Sequence, residues 1–237
     1  TLNDQQILLA SEILDTLESN HLIKKDYASI RHESFEVFID RLDPNKTIFT
    51  SEELVGLLTH ANGNTDLEKD LELAFKLFNL YVSRYQERYQ RQIEFLNTAQ
   101  TESFDTPRAL LRDLSEIERL SSLDDLNALW IDLSTNDVIQ LMLSGNTLEE
   151  ATTKTIKRMD NQLNYFLQTR NEDVFNIFVN AVASIYGPHT NYMSPKNSED
   201  FDINMSLSLE GIGALLSSDG LYTSISSLVP GGPAEKT

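Results

Sequence analysis

The sequence predicts a mainly α protein, a multi-helix N-terminal domain followed by a short β-rich module cut off at its end. Three observations predict it. Apolar residues recur at three- and four-residue steps from Leu2 to about Tyr186, the repeat of a one-sided helix. From Met205 the pattern turns to period two, the repeat of a half-buried strand. Proline, glycine and capping residues punctuate the helical part at regular intervals. At 237 residues, 40% hydrophobic and 24% charged, the chain suits one or two domains and can bury a core without cross-links.

The elements follow in order. Residues Leu2–Ser19 carry the stripe Ile7, Ala10, Ile13, Leu14 and Leu17. Asp26 is placed to cap a second helix with Ile30, Phe35, Phe38, Ile39 and Leu42 inward, broken by Asp43-Pro44-Asn45. Thr50-Ser51-Glu52-Glu53 is a capping box opening a short helix to about His60, ended by Asn62-Gly63-Asn64. The longest element runs from about Asp66 to Asn97, an apolar seam about 45 Å long. Asp105-Thr106-Pro107 reads as a turn, and Ser122–Ser144 as a helix that contains Trp130 and stops at Gly145. Thr147-Leu148-Glu149-Glu150 is a second capping box, leading a helix to about Thr169. Glu172–Tyr186 is strongly apolar and ends at Gly187-Pro188. Asn191–Ser198 reads as a loop, Met205–Leu209 as a strand continuing to Leu216, Asp219-Gly220 as a hairpin turn and Leu221–Val229 as its return strand. Pro230-Gly231-Gly232-Pro233 then leads into a helix with Pro233 near its first turn. One hairpin and one helical turn cannot bury a core. The predicted domains are therefore 1–190, helical, and 200–237, the opening part of an incomplete β module.

Charge and composition exclude several functions. Nineteen Lys+Arg against 37 Asp+Glu give a net charge of −18. That disfavours nucleic acid, which is held by a concentrated positive field, and docking on anionic lipid. No apolar run reaches the roughly 18–20 residues of a membrane span. No Lys/Arg-led apolar segment and no initiator Met open the chain, so it reads as a mature or excised product. Cysteine is absent, which excludes disulfides, thiolate nucleophiles and Cys–metal sites but identifies no compartment.

Candidate sites thin out under inspection. Asp43–Thr47 opens like a calcium loop, but the sixth and twelfth positions, where such a loop needs Gly and Glu, are Ile48 and Leu54. Gly211-Ile212-Gly213 lacks the third glycine and following helix of a dinucleotide loop. Arg84, Arg88 and Arg91 interleave with Tyr81, Tyr85 and Tyr89, but the tyrosines share a helical stripe and read as core beside a solvated Arg face. His21, His32, His60 and His189 show no metal-ligand spacing. No cofactor or metal is expected, and no nucleophile–base pair can be picked out from sequence. The positive signal is Gly211-Ile212-Gly213-Ala214 ahead of a strand. Glycines there allow consecutive N–H groups to converge on an anion such as a peptide carboxylate, while the strand edge adds the peptide as a further strand. A β-bulge is the alternative reading of the same residues.

The order of separated segments carries a resemblance. Gly187-Pro188-His189-Thr190-Asn191-Tyr192-Met193-Ser194-Pro195, then Met205-Ser206-Leu207-Ser208-Leu209-Glu210-Gly211-Ile212-Gly213-Ala214, then Gly231-Gly232-Pro233-Ala234 resemble the tail-specific protease branch of the C-terminal processing peptidases. Leu126-Asn127-Ala128-Leu129-Trp130 and Asn171-Glu172-Asp173-Val174-Phe175 resemble it too. One departure is that the branch has Asp where this chain has Gly187. The resemblance implies a periplasmic serine endopeptidase, peripheral to the inner membrane at most, with a Ser/Lys dyad that would lie beyond Thr237. This chain alone would then be inactive. It implies a helical domain and then a PDZ domain that recognises apolar C-terminal tails of substrate proteins. Gly211, Ile212, Gly213 and Ala214 match the carboxylate-binding loop, with Leu209 and Leu215 as side-chain contacts. A helical-repeat lipoprotein adaptor is an implied partner of the helical domain. The rival readings are a non-enzymatic helical scaffold with a peptide-binding PDZ-like module, and an all-helical structural domain whose hairpin is an appendage. The broken module leaves an unpaired strand edge, open to exchange between copies.

Overall fold

The computed structural model describes residues 2–59, 66–104, 110, 113–115, 117–168, 171–206, 213–219 and 222–235. They form two compact units, Thr1–Tyr192 and Met193–Thr237. The first is all helical: α1 Asp4–Asn20, α2 Tyr27–Leu42, α3 Ser51–Thr59, α4 Leu67–Thr98, a 3-10 turn Thr101–Phe104, α5 Leu123–Leu143, α6 Leu148–Phe166 and α7 Asn171–Tyr186. The second holds α8 Pro195–Ser206, strands β1 Ala214–Asp219 and β2 Tyr222–Leu228, and a 3-10 turn Pro233–Glu235. The mainly α class and the small antiparallel β element are as the sequence predicts.

Helix starts are set by local chemistry. The Asp26 carboxylate accepts the Ser29 N–H at 3.0 Å, and Ser122 accepts the Asp125 N–H at 3.2 Å. Thr50 and Glu53 close the first capping box, with Glu53 N–H donated to Thr50 Oγ1 at 3.1 Å and Thr50 N–H to Glu53 Oε2 at 3.0 Å. Thr147 and Glu150 close the second. Each satisfies N–H groups that the first turn leaves unpaired. Asn3 and Gln6 form a third box, which the sequence reading does not include. Gly145 follows α5 with φ +96°, a backbone state that costs a residue with a Cβ. The predicted stops at Asn62–Asn64 and Asp105–Pro107 lie outside the described residues.

Two apolar clusters are built on α4, whose 32 residues span about 48 Å. Its N-terminal half gives Leu71, Phe75 and Phe78 to a cluster shared with α1, α2, α3 and α7. There Phe178 of α7 meets Phe35 and Phe38 of α2 at ring distances of 5.2 and 5.5 Å. Its C-terminal half gives Tyr89 and Leu96 to a cluster with Val138, Ala151 and Met159 of α5 and α6. Between them α4 is polar and aromatic. Arg84 pairs with Glu53 at 2.5 Å, and Arg88 donates to Thr47 Oγ1 at 2.9 Å. Trp130, fully buried, donates its indole N–H to the Thr47 carbonyl at 2.7 Å.

One predicted element is wrong. The sequence predicts a loop over Asn191–Ser198 and a strand from Met205, yet α8 covers Pro195–Ser206. Ser194 caps it, its carbonyl accepting the Ser198 N–H at 2.9 Å and its hydroxyl the Asn197 N–H at 3.3 Å. Pro195 takes the first helical position, where its missing N–H costs nothing. Phe201, Ile203 and Met205 lie along α8, and Met205 opens the two-residue alternation that predicts the strand. All three are exposed. In the hairpin Ala214 pairs with Leu228 and Asp219 with Tyr222, with a bulge between Leu215 and Leu216. The predicted Asp219-Gly220 turn falls partly outside the described residues, at position 220.

Candidate functional site

Of the six predicted peptide-binding residues, Gly213, Ala214 and Leu215 are described, and Leu209, Gly211 and Ile212 lie outside the described residues. Gly213 sits immediately before β1 with φ +77°. A Cβ there would lie 2.9 Å from both Gly232 Cα and Pro233 Cδ, and one on Gly232 would lie 2.9 Å from the Val229 carbonyl. Two glycine segments therefore cross backbone to backbone at the open end of the hairpin. The Val229 N–H, donated to the Gly213 carbonyl at 2.7 Å, locks the crossing. The Gly231 N–H is held by the Glu235 carboxylate at 2.5 Å. Beyond the crossing, Leu215, Leu216 and Ile225 stand about three-fifths exposed, an apolar surface on a two-stranded ribbon. Chemically this is a strand edge started by a glycine that no other L-residue replaces without strain.

The segment Gly187–Tyr192 forms a tight connection after α7. The Thr190 N–H closes on the Gly187 carbonyl at 3.0 Å. His21 Nε2 lies 2.9 Å from Thr190 Oγ1, and its ring meets Tyr186 edge-on at 5.5 Å. The Asn180 side chain clamps Tyr192, accepting its N–H at 2.7 Å and donating to its carbonyl at 3.0 Å. Thr190–Tyr192 line one side of a cleft of about 340 Å³ against α1 and α7. The turn survives Gly at 187. His189 stays on the surface. Leu126, Trp130, Val174 and Phe175, from the two helical segments noted above, are all buried, so these segments are read through core packing. Among the described residues no group of three His, Asp or Glu gathers to hold a metal, and no helix is long and apolar enough to cross a membrane.

The solvated arginine face predicted on α4 holds only in part: Tyr89 is buried and Arg91 faces out to Glu87, but Arg84 is buried as well, because Glu53 and Glu87 pair with its guanidinium. The net charge of −18 hides a cationic face on α6, Lys154, Lys157 and Arg158, whose i, i+3, i+4 spacing is the available signal.

The helical unit and its caps define a class of domain. The family model described as the tail specific protease N-terminal domain matches residues 13–196, and the chain belongs to that family. It is 32% identical over 211 residues to the tail-specific protease of Haemophilus influenzae, an alignment that covers 86% of this chain and 29% of that protein. The chain thus spans less than a third of that relative's length.

Proposed function

We propose that this chain is the N-terminal portion of a periplasmic serine endopeptidase that selects substrates by their apolar C-terminal tails. The family match over residues 13–196 carries the reading, supported by the name of the Haemophilus relative. Residues 1–190 are the scaffold and the docking domain for a helical-repeat lipoprotein adaptor. Residues 200–237 open a PDZ domain. The Gly213 crossing supports this assignment, because a left-handed glycine before an exposed strand edge is what a carboxylate loop needs.

In the intact enzyme a tail adds as a strand beside the hairpin, its carboxylate accepting N–H bonds near Gly211, Ile212, Gly213 and Ala214. Its apolar last side chain lies toward Leu209 and Leu215. Tail binding favours the conformation in which a Ser/Lys dyad, supplied by residues after Thr237, is aligned. Such a shift requires tighter binding to that state than to the other. The lysine acts as base toward the serine when burial lowers its pKa.

The test is a titration of a form extended to complete the module with matched free-acid and amidated apolar peptides. Free-acid peptides are expected to bind and amides to bind far more weakly. Equal binding of the two overturns the assignment. The 237-residue chain alone is expected to leave a tagged substrate uncut.

A further inference from the structure

We propose that the groove between α4 and α6 is a second binding site, taking a short, extended acidic peptide segment that carries an aromatic side chain. It is separate from the tail-capture reading and does not rest on it. The groove encloses about 700 Å³. Its floor is aromatic, with Tyr85 and Phe166 stacked at 4.0 Å and 29°, and Tyr165 stands 79% exposed at its rim. Lys154, Lys157 and Arg158 line its edge, and no acidic residue lines it among those described.

The cations are only partly committed. Arg158 pairs with Asp137 at 2.5 Å, both side chains about half exposed, and it keeps further N–H donors. Lys154 donates to the Asn146 side chain. Glu150, one turn earlier, is drawn back onto Thr147, whose N–H and hydroxyl hold its carboxyl below the usual range, with Lys154 adding to the effect. Lys157 has no hydrogen-bond or ion-pair partner among the described residues. In a chain of net charge −18, the groove's lining holds three cations, one of them paired with Asp137, beside stacked rings.

Charge and size select the occupant. A long polyanion or a lipid surface would press its remaining negative charge against an acidic protein. A free phosphate would leave the aromatic floor unused. Lys154 and Arg158 are about 6 Å apart along the axis, close to the roughly 6.6 Å between alternate side chains of an extended strand. Acids at alternate positions therefore meet successive cations. A ring carried by the same segment reaches the floor that Tyr85 and Phe166 provide.

The experiment is fluorescence anisotropy of the 237-residue chain with an acetylated, amidated Glu-Phe-Glu-Phe-Glu peptide, which offers no terminal carboxylate and so is blind to tail capture. Saturable binding at low salt is expected, and none for the Lys-for-Glu peptide. The double variant Lys154→Glu/Lys157→Glu is expected to weaken binding about tenfold, and Tyr165→Ala severalfold. These side chains are exposed, so the melting temperature should hold. About 0.5 M salt should weaken binding further by shortening the screening length. No saturable binding, unchanged binding by both variants, or complete displacement by inorganic phosphate, which would mark a small-anion site, each overturns the proposal.

Discussion

Asp43 is a buried carboxylate, 2% exposed, at the Asp-Pro break after α2. It accepts the N–H groups of Thr47, Ile48 and Phe49 at 2.8 to 3.1 Å and pairs with Arg119. Three amides and a guanidinium offset the cost of taking the charge out of water. Asp43→Ala leaves those donors unpaired and Arg119 without its carboxylate, and is expected to lower stability by about 3–5 kcal/mol, read as a shift in the urea midpoint at constant slope. Asp70 is built similarly, gripped twice by Arg31 at 2.5 and 2.6 Å and once by the Tyr27 hydroxyl at 2.9 Å. Burial, then the Asp70 carboxylate, pushes the Tyr27 hydroxyl far above its ordinary pKa. Burial first, then neighbouring Tyr85, does the same for Tyr81 and Tyr89. The sign follows from which state loses its protons first. The unfolded tyrosines ionise near pH 10 while the folded ones resist. Their contribution is therefore whole below about pH 10 and is lost as the pH climbs above it. Urea melts across that range should show the decline, and an absorbance titration of the native protein should find fewer than eight tyrosines ionising before unfolding.

Among the elements, the hairpin depends on the backbone angle at Gly213, which is +77°. Gly213→Ala would place a methyl 2.9 Å from Gly232 Cα at φ +77°, a state that costs an L-residue about 1–2 kcal/mol before any clash. The expected result is loss of hydrogen-exchange protection at the Val229 amide, with the helical unit unchanged. An amide that stays protected would show that the crossing tolerates a side chain. Helix starts were legible in the sequence because capping is local: Asp26, Thr50, Ser122 and Thr147 each act within three residues. The Asp43–Arg119 and Arg31–Asp70 pairs were not legible, since their partners are 76 and 39 residues apart and nothing local joins them. Helix α8 was not legible because Asn191–Ser198 is rich in turn-forming residues and Met205 opens a two-residue alternation. The return strand was legible from the Asp-Gly signal ahead of it, whereas the first strand starts at Ala214 and not at Met205 as predicted. The peptide-binding role of Gly211–Ala214 rests on the resemblance, since no spacing distinguishes a carboxylate nest from a bulge.

For the whole molecule, the two units differ in what holds them. The helical unit contains both apolar clusters and its own buried ion pairs. A fragment ending at Tyr192 is therefore expected to fold alone, with a cooperative melt at nearly the temperature of the full chain. A fragment holding only 193–237 exposes Leu215, Leu216 and Ile225 and is expected to show no cooperative melt, because a lone two-stranded ribbon is marginal in water. Circular dichroism of both fragments checks this. The long helix α4 joins one apolar cluster to the other through a polar waist around Arg84 and Arg88. It works as a shared axle: each end is gripped by a different set of helices, and the waist is one link between them, beside the ring contacts of Tyr81 with Phe49 and Phe166 and the Trp130 bond to Thr47. Loosening that waist, as with Arg84→Ala, should let the two grips release at different temperatures, so the heat absorbed would exceed what the steepness of the transition predicts for a single event.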